Sequence, residues 1–185
     1  MRVVVIIAIF FISECFAHDT NKAYFSISEN DETTEVIAEF PWTIRKSVLK
    51  FAPELENSKS AKEFQNAFKK YLSANLLLKD AQNNLLELVS VEKVELERHS
   101  HQNDYKLIFE GNNVTSITNT ILFNINSTQE NFHTWKTNNE NLKFITNIEN
   151  NTFSYQSTKS YSLSYLWLFA ILPILYFIPK KLSTR

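Results

Sequence analysis

Apolar residues alternate with polar ones in two early segments, Ala23, Phe25 and Ile27, then Val36, Ala38 and Phe40. A two-residue period is that of half-buried strands, and a turn through Glu29 to Thr33 would join the two as a hairpin. From Pro41 the period lengthens, with Ile44, Val48, Leu49 and Ala52 on one face of a helix near 42-52. Pro53 ends it. Ser60-Ala61-Lys62-Glu63 is a capping-box pattern, after which Phe64, Ala67, Phe68, Tyr71 and Leu72 recur at amphipathic spacing, predicting a second helix near 60-73.

Strand patterns then return at 76-78, 85-91, 94-96 and 105-109, with the clearest alternation in Ile117, Ile121, Phe123 and Ile125, and further segments at 132-135 and 142-148. Asparagine pairs at 83-84, 112-113, 138-139 and 150-151 fall between apolar runs. Asparagine tolerates left-handed backbone better than other non-glycine residues, so these pairs are expected at the hairpin turns. Short strands interrupted by one helical pair predict a mainly β fold, a β-sandwich Ig-like in layout with an inserted helical pair.

The two ends carry different patterns. Arg2 precedes the apolar run Val3 to Ile12, and Cys15 and Ala17 place small residues where a signal peptidase reads. This predicts a signal peptide over 1-17 and a mature N-terminus at His18; the alternative is an uncleaved N-terminal anchor. Tyr161 to Ile178 holds eighteen residues without a charge, about 27 Å of helix, with aromatic residues at both ends and Lys180, Lys181 and Arg185 beyond. The expectation is a single transmembrane helix at 161-178, a domain at 18-151 outside the cytoplasm, a tether at 152-160 and a cytoplasmic tail at 179-185. In a cell with two membranes the domain would face the periplasm. A processed C-terminal sorting signal is the alternative for the last segment.

Composition narrows the function classes. Nineteen basic residues against twenty acidic give a net charge of −1, so no global field gathers nucleic acid. Gly111 is the only glycine, which excludes a dinucleotide fingerprint, a phosphate-binding loop and a nucleophile elbow. Cys15 is the only cysteine and lies in the apolar start, so an exported domain would hold no disulfide, which points to a bacterial source. The sequons at Asn113, Asn126 and Asn150 are no more than chance supplies among twenty asparagines.

Among side chains with chemistry to offer, the four histidines stand out: His18, His99, His101 and His133. A mature His18 would present an α-amine and an imidazole together, and His99 and His101, two apart, would point the same way on a strand. Copper or nickel is the metal such nitrogen ligands suit. Against it, His99 and His101 sit in the polar stretch ERHSHQND, where solvated surface histidines are the plainer expectation, and metal sites normally gather three or four ligands. Glu92, Glu95 and Glu97 alternate with apolar residues as the wet face of a strand would. No catalytic constellation is written on the chain, and no catalytic residue is assigned.

The order of motifs resembles a group of short exported bacterial proteins. The matching features are a signal peptide ending before His18, the opening strand AYFSI, a helix running into YLSANLLLKD and a later strand NTILFNINSTQEN, spread over residues 18-150. The chain is also similar, in opening with a strand after the Ala17-His18 junction, to the extracytoplasmic N-terminal region of hydrogenase/urease accessory-type membrane proteins. That resemblance implies nickel, although those proteins continue into several membrane helices where this chain shows one candidate span. The expected function is a non-enzymatic, membrane-anchored domain that binds a protein partner or serves a membrane complex. The rival expectation is a copper- or nickel-binding accessory domain built on His18.

Overall fold

A computed structural model of the chain describes residues 20–94, 103–137 and 140–155. The expected hairpin opens it: β1 (Lys22–Glu29) and β2 (Thr33–Phe40) pair antiparallel and are closed by Asn30 N–H donating to the Thr33 carbonyl at 2.8 Å. In β2 every second residue, from Thr34 to Phe40, is buried, as its alternation demands. Pro41 cannot extend the ladder, and its carbonyl accepts from Ile44 N–H at 3.0 Å as the chain turns into helix α1 (Ile44–Phe51).

A 3-10 turn at Pro53–Leu55 separates α1 from α2 (Ala61–Asn75). The cap of α2 is a variant of the expected box. Ser60 Oγ accepts from Glu63 N–H at 3.3 Å, but the Glu63 carboxylate accepts from Ser58 Oγ at 2.6 Å, and Ser58 Oγ in turn accepts from Ser60 N–H at 3.1 Å. Ser58 therefore relays the bond that Glu63 would otherwise make to the main chain. Ser60→Ala is expected to cost about 1 kcal/mol, measured as a lowered urea midpoint with unchanged slope.

The remaining strands are β3 (Leu76–Asp80), β4 (Glu87–Val94), β5 (Asn103–Glu110), β6 (Val114–Asn119), β7 (Glu130–Lys136), β8 (Asn141–Thr146) and β9 (Thr152–Ser154). They form a six-stranded sheet in the order β4-β5-β2-β1-β7-β8 and a three-stranded sheet in the order β3-β6-β9. All pairs are antiparallel except β1 with β7, which run parallel with Phe25 opposite His133 and Ile27 opposite Trp135. Among the described residues the fold is mainly β with two α-helices. Among the described residues no helix is long and apolar enough to cross a membrane, and the segments 1-17 and 161-178 lie outside them.

One core joins these elements. Phe25, Val36, Leu107 and Trp135 from the larger sheet meet Leu78 and Ile117 from the smaller one and Val48, Phe68 and Leu72 from the helices. Each such side chain, fully buried, contributes roughly 1.5–3 kcal/mol. Glu29 ties the sheets together at one end, accepting from Trp135 Nε1 at 3.0 Å and from Val114 N–H at 3.3 Å.

Two expectations change. The alternation through Ile121, Phe123 and Ile125 is not a strand: β6 stops at Asn119, and the chain then makes successive turns, with Phe123 N–H on the Thr120 carbonyl at 3.2 Å and Ile125 N–H on Leu122 at 3.1 Å. Leu122 sits at φ 69°, a left-handed conformation held because Leu122 and Ile121 are both fully buried. NTILFNINSTQEN is therefore the end of β6, a turn anchored by the buried Ile121 and Leu122, and the first two residues of β7. The second change is at the tether expected from Thr152, since Thr152–Ser154 form β9 on β6 and Tyr155 N–H reaches the Thr115 carbonyl at 2.7 Å. A three-residue strand is too short to show a period.

Of the asparagine pairs, Asn83 (φ 65°) and Asn113 (φ 57°) adopt the left-handed backbone expected of them. The turn at 147–150 is instead closed by Asn147, whose Oδ1 accepts from Glu149 and Asn150 N–H at 3.1 and 2.8 Å. Residues 138-139 lie outside the description.

Candidate functional site

The end of β2 positions a cleft. Phe40, the last residue of β2, meets Phe68 of α2 edge-on at 6.0 Å and Tyr105 of β5 at 6.0 Å, and Phe68 meets Tyr105 edge-on at 4.8 Å. Beside these rings lies a groove of about 260 Å³ lined by Trp42, Arg45 and Val48, by Phe64 and Phe68 of α2, and by Asn103 and Tyr105 of β5. Trp42 is 65% exposed at its mouth. The Arg45 guanidinium lies 4.8 Å from the centre of the Phe64 ring, a cation–π arrangement that holds the charge over the groove. Among the described residues Arg45 has no carboxylate partner. Burial pushes the Tyr105 hydroxyl above its ordinary range, so it stays a neutral donor and acceptor at the groove wall.

Local sequence explains the arrangement only in part. The amphipathic period of α2 buries Ala67, Phe68, Tyr71 and Leu72 and leaves Phe64 half-buried at the groove. The first turn of α1, by contrast, carries Arg45 and Lys46 and no acidic residue. Cations at a helix N-terminus oppose the helix dipole by about 0.3–1 kcal/mol each.

A second polar cluster is buried. Asn119, at the end of β6, donates from Nδ2 to His133 Nε2 at 3.0 Å and accepts at Oδ1 from Ile121 N–H at 3.0 Å and Asn131 Nδ2 at 3.1 Å. Gln129 Nε2 donates to Asn131 Oδ1 at 3.0 Å. All four side chains are buried. The His133 ring is stacked between Phe25 (5.0 Å, 15°) and Phe144 (4.4 Å, 5°), and Phe144 stacks on Phe153 of β9 (4.1 Å, 8°). Because Nε2 accepts, the ring is the neutral Nδ1–H tautomer. Burial holds its pKa down to about 4, against a weaker opposite pull from the main chain of Phe144 and Asn131.

A third cluster is also structural. Tyr71 Oη accepts from Leu122 N–H at 2.8 Å and donates to Ser47 Oγ at 2.7 Å, and Ser47 Oγ donates to Asn124 Oδ1. These bonds pin the buried turn after β6 to both helices and use every hydroxyl in the set. Desolvation pushes the Tyr71 hydroxyl up.

His18, His99 and His101 lie outside the described residues. His133 does not join them as a surface ligand: it belongs to the core network. Among the described residues no group of three or more His, Cys, Asp or Glu is gathered as a metal site needs. Glu92 is exposed on β4 opposite Lys106, which also pairs with Glu35 at 2.5 Å, the wet strand face expected of it. The groove residues Trp42 and Arg45 and the Asn119 network were not singled out from sequence.

No family model matches the chain, and no curated protein matches it significantly. Fold and groove together define the described unit as a mainly β domain with an open aromatic cleft.

Proposed function

We propose that this chain is an exported, single-pass membrane-anchored protein whose β-rich domain binds a protein partner outside the cytoplasm without catalysing a reaction. In this reading the two sheets form a sandwich of Ig-like layout with the helical pair inserted between β2 and β3, and the segment at 161-178 anchors it. The observation that carries the binding role is the groove, where an exposed tryptophan and a guanidinium that has no carboxylate partner among the described residues stand beside aromatic rings. A concave site that sets aromatic rings beside placed polar groups, here Arg45, Asn103 and Tyr105, is a form that recognition sites take. The apolar run at 3-12 and the uncharged run at 161-178 support the export and the anchor.

Fractionation of cells expressing the native chain, combined with N-terminal sequencing, tests the topology. The expected result is recovery with membranes, resistance to alkaline extraction, degradation of the domain by external protease, and a sequence starting at His18. Recovery from the cytoplasm with Met1 intact would overturn it.

A further inference from the structure

We infer that the groove takes an acidic peptide segment of a protein partner, one apolar or aromatic side chain entering between Phe64 and Tyr105 while a neighbouring carboxylate pairs with Arg45. The inference deepens the binding role proposed above and rests on it.

Size selects the occupant first. Sites for drug-sized ligands run about 300–1,000 Å³, and at about 260 Å³ the groove falls below them, so it fits one large side chain better than a whole cofactor. Its walls are ring faces and edges, which favour an aromatic or branched apolar guest. Charge selects next. Residues 42–75 carry seven Lys and Arg against three Glu, in a chain whose net charge is −1, so the helical layer is positive on a molecule that is otherwise acidic. A carboxylate from a partner would satisfy Arg45 in bidentate geometry and relieve the unfavourable cations in the first turn of α1. The Phe64 ring is the contact described for Arg45 inside the fold, and a local rule broken for so small a return is expected where a surface serves a ligand.

The same features argue against a bilayer as the occupant. The rings here are recessed in the groove, and among the described residues Trp42 is the only groove residue in the set of large hydrophobic side chains that stand exposed. Membrane docking needs an apolar face that projects.

The test uses the full-length chain in detergent micelles and dye-labelled blocked pentapeptides, followed by fluorescence anisotropy. One peptide has phenylalanine between aspartates, a second has lysines in place of the aspartates, and a third has serine in place of phenylalanine. The acidic aromatic peptide is expected to bind saturably and the other two at least about tenfold more weakly. Arg45→Met and Trp42→Ala are each expected to weaken it about tenfold, and Arg45→Glu to weaken it further while improving the lysine peptide. Lys143→Ala, exposed on β8 and outside the helical layer, is expected to leave binding unchanged.

Equal binding of acidic and lysine peptides, no binding, or indifference to Arg45→Glu would overturn the inference. So would binding of phosphatidylglycerol vesicles that depends on Arg45 without any peptide binding, because it would assign the face to a membrane. Topology and groove fail separately. A membrane-anchored chain that ignores the peptides loses only this inference, and a peptide-binding chain found in the cytoplasm loses only the export.

Discussion

Asn119→Ala is expected to lower the free energy of unfolding by roughly 3–5 kcal/mol, because one side chain supplies partners to three buried groups. Its Oδ1 serves Ile121 N–H and Asn131 Nδ2, and its Nδ2 serves His133 Nε2. None of the three can turn to water, since Ile121, Asn131 and His133 are all buried. Leaving Ile121 N–H and His133 Nε2 unsatisfied costs about 1–3 kcal/mol each, and Asn131 Nδ2 loses one of its two acceptors while keeping the Ile121 carbonyl at 3.2 Å. The effect is a connection between sheets as well as a count of bonds: Asn119 ends β6 in the smaller sheet, while Asn131 and His133 lie on β7 in the larger. Urea unfolding followed by near-ultraviolet circular dichroism, which reads the buried Trp135, would measure the loss. A change under about 1 kcal/mol would mean that these bonds form no cooperative node.

How much of this was legible in the chain depends on the range of the interaction that decides each element. The hairpin from Lys22 to Phe40 and helix α2 follow from local period and capping, and both stand where the pattern puts them. The turn at 120–126 does not, because its apolar residues alternate well while Asn119, bonding to Ile121 N–H and to a strand twelve residues on, holds the chain where the ladder ends. On β7 the apolar residues Phe132 and Trp135 are three apart, so a strict alternation cannot bury both. Trp135 is fully buried, which places Asn131 and His133 inside and Phe132 towards the outer face, where it stacks on Tyr24 at 5.4 Å. Taking the phase of the strand from its largest side chain would have revealed the polar network. The groove was beyond any local pattern, since it brings together Arg45, Phe64 and Tyr105 from α1, α2 and β5.

Acid is expected to destabilise the domain through His133 by about 3 kcal/mol between pH 7 and pH 4. The sign follows from the direction of the shift. The folded state holds the pKa near 4, against an ordinary value of 6.5, so the unfolded chain binds the proton more readily. The stability is fully present above about pH 6.5, is lost as the pH falls through the interval down to about 4, and changes little below it. At about 1.4 kcal/mol per pH unit the interval gives the stated figure. The physical cause is the environment around the ring: Phe25 and Phe144 cover its two faces, Asn119 donates to Nε2, and no charged side chain stands among these contacts to balance an imidazolium. His133→Phe separates this effect from the titration of carboxylates, which both proteins share. At about pH 7.5 the variant should be less stable by about 1–2 kcal/mol, because Asn119 Nδ2 loses its acceptor. At about pH 4.5 it should be the more stable of the two, because it has no proton to take up at this position. Denaturant midpoints measured across that range should therefore cross, and parallel curves would show that His133 keeps an ordinary pKa in the folded protein.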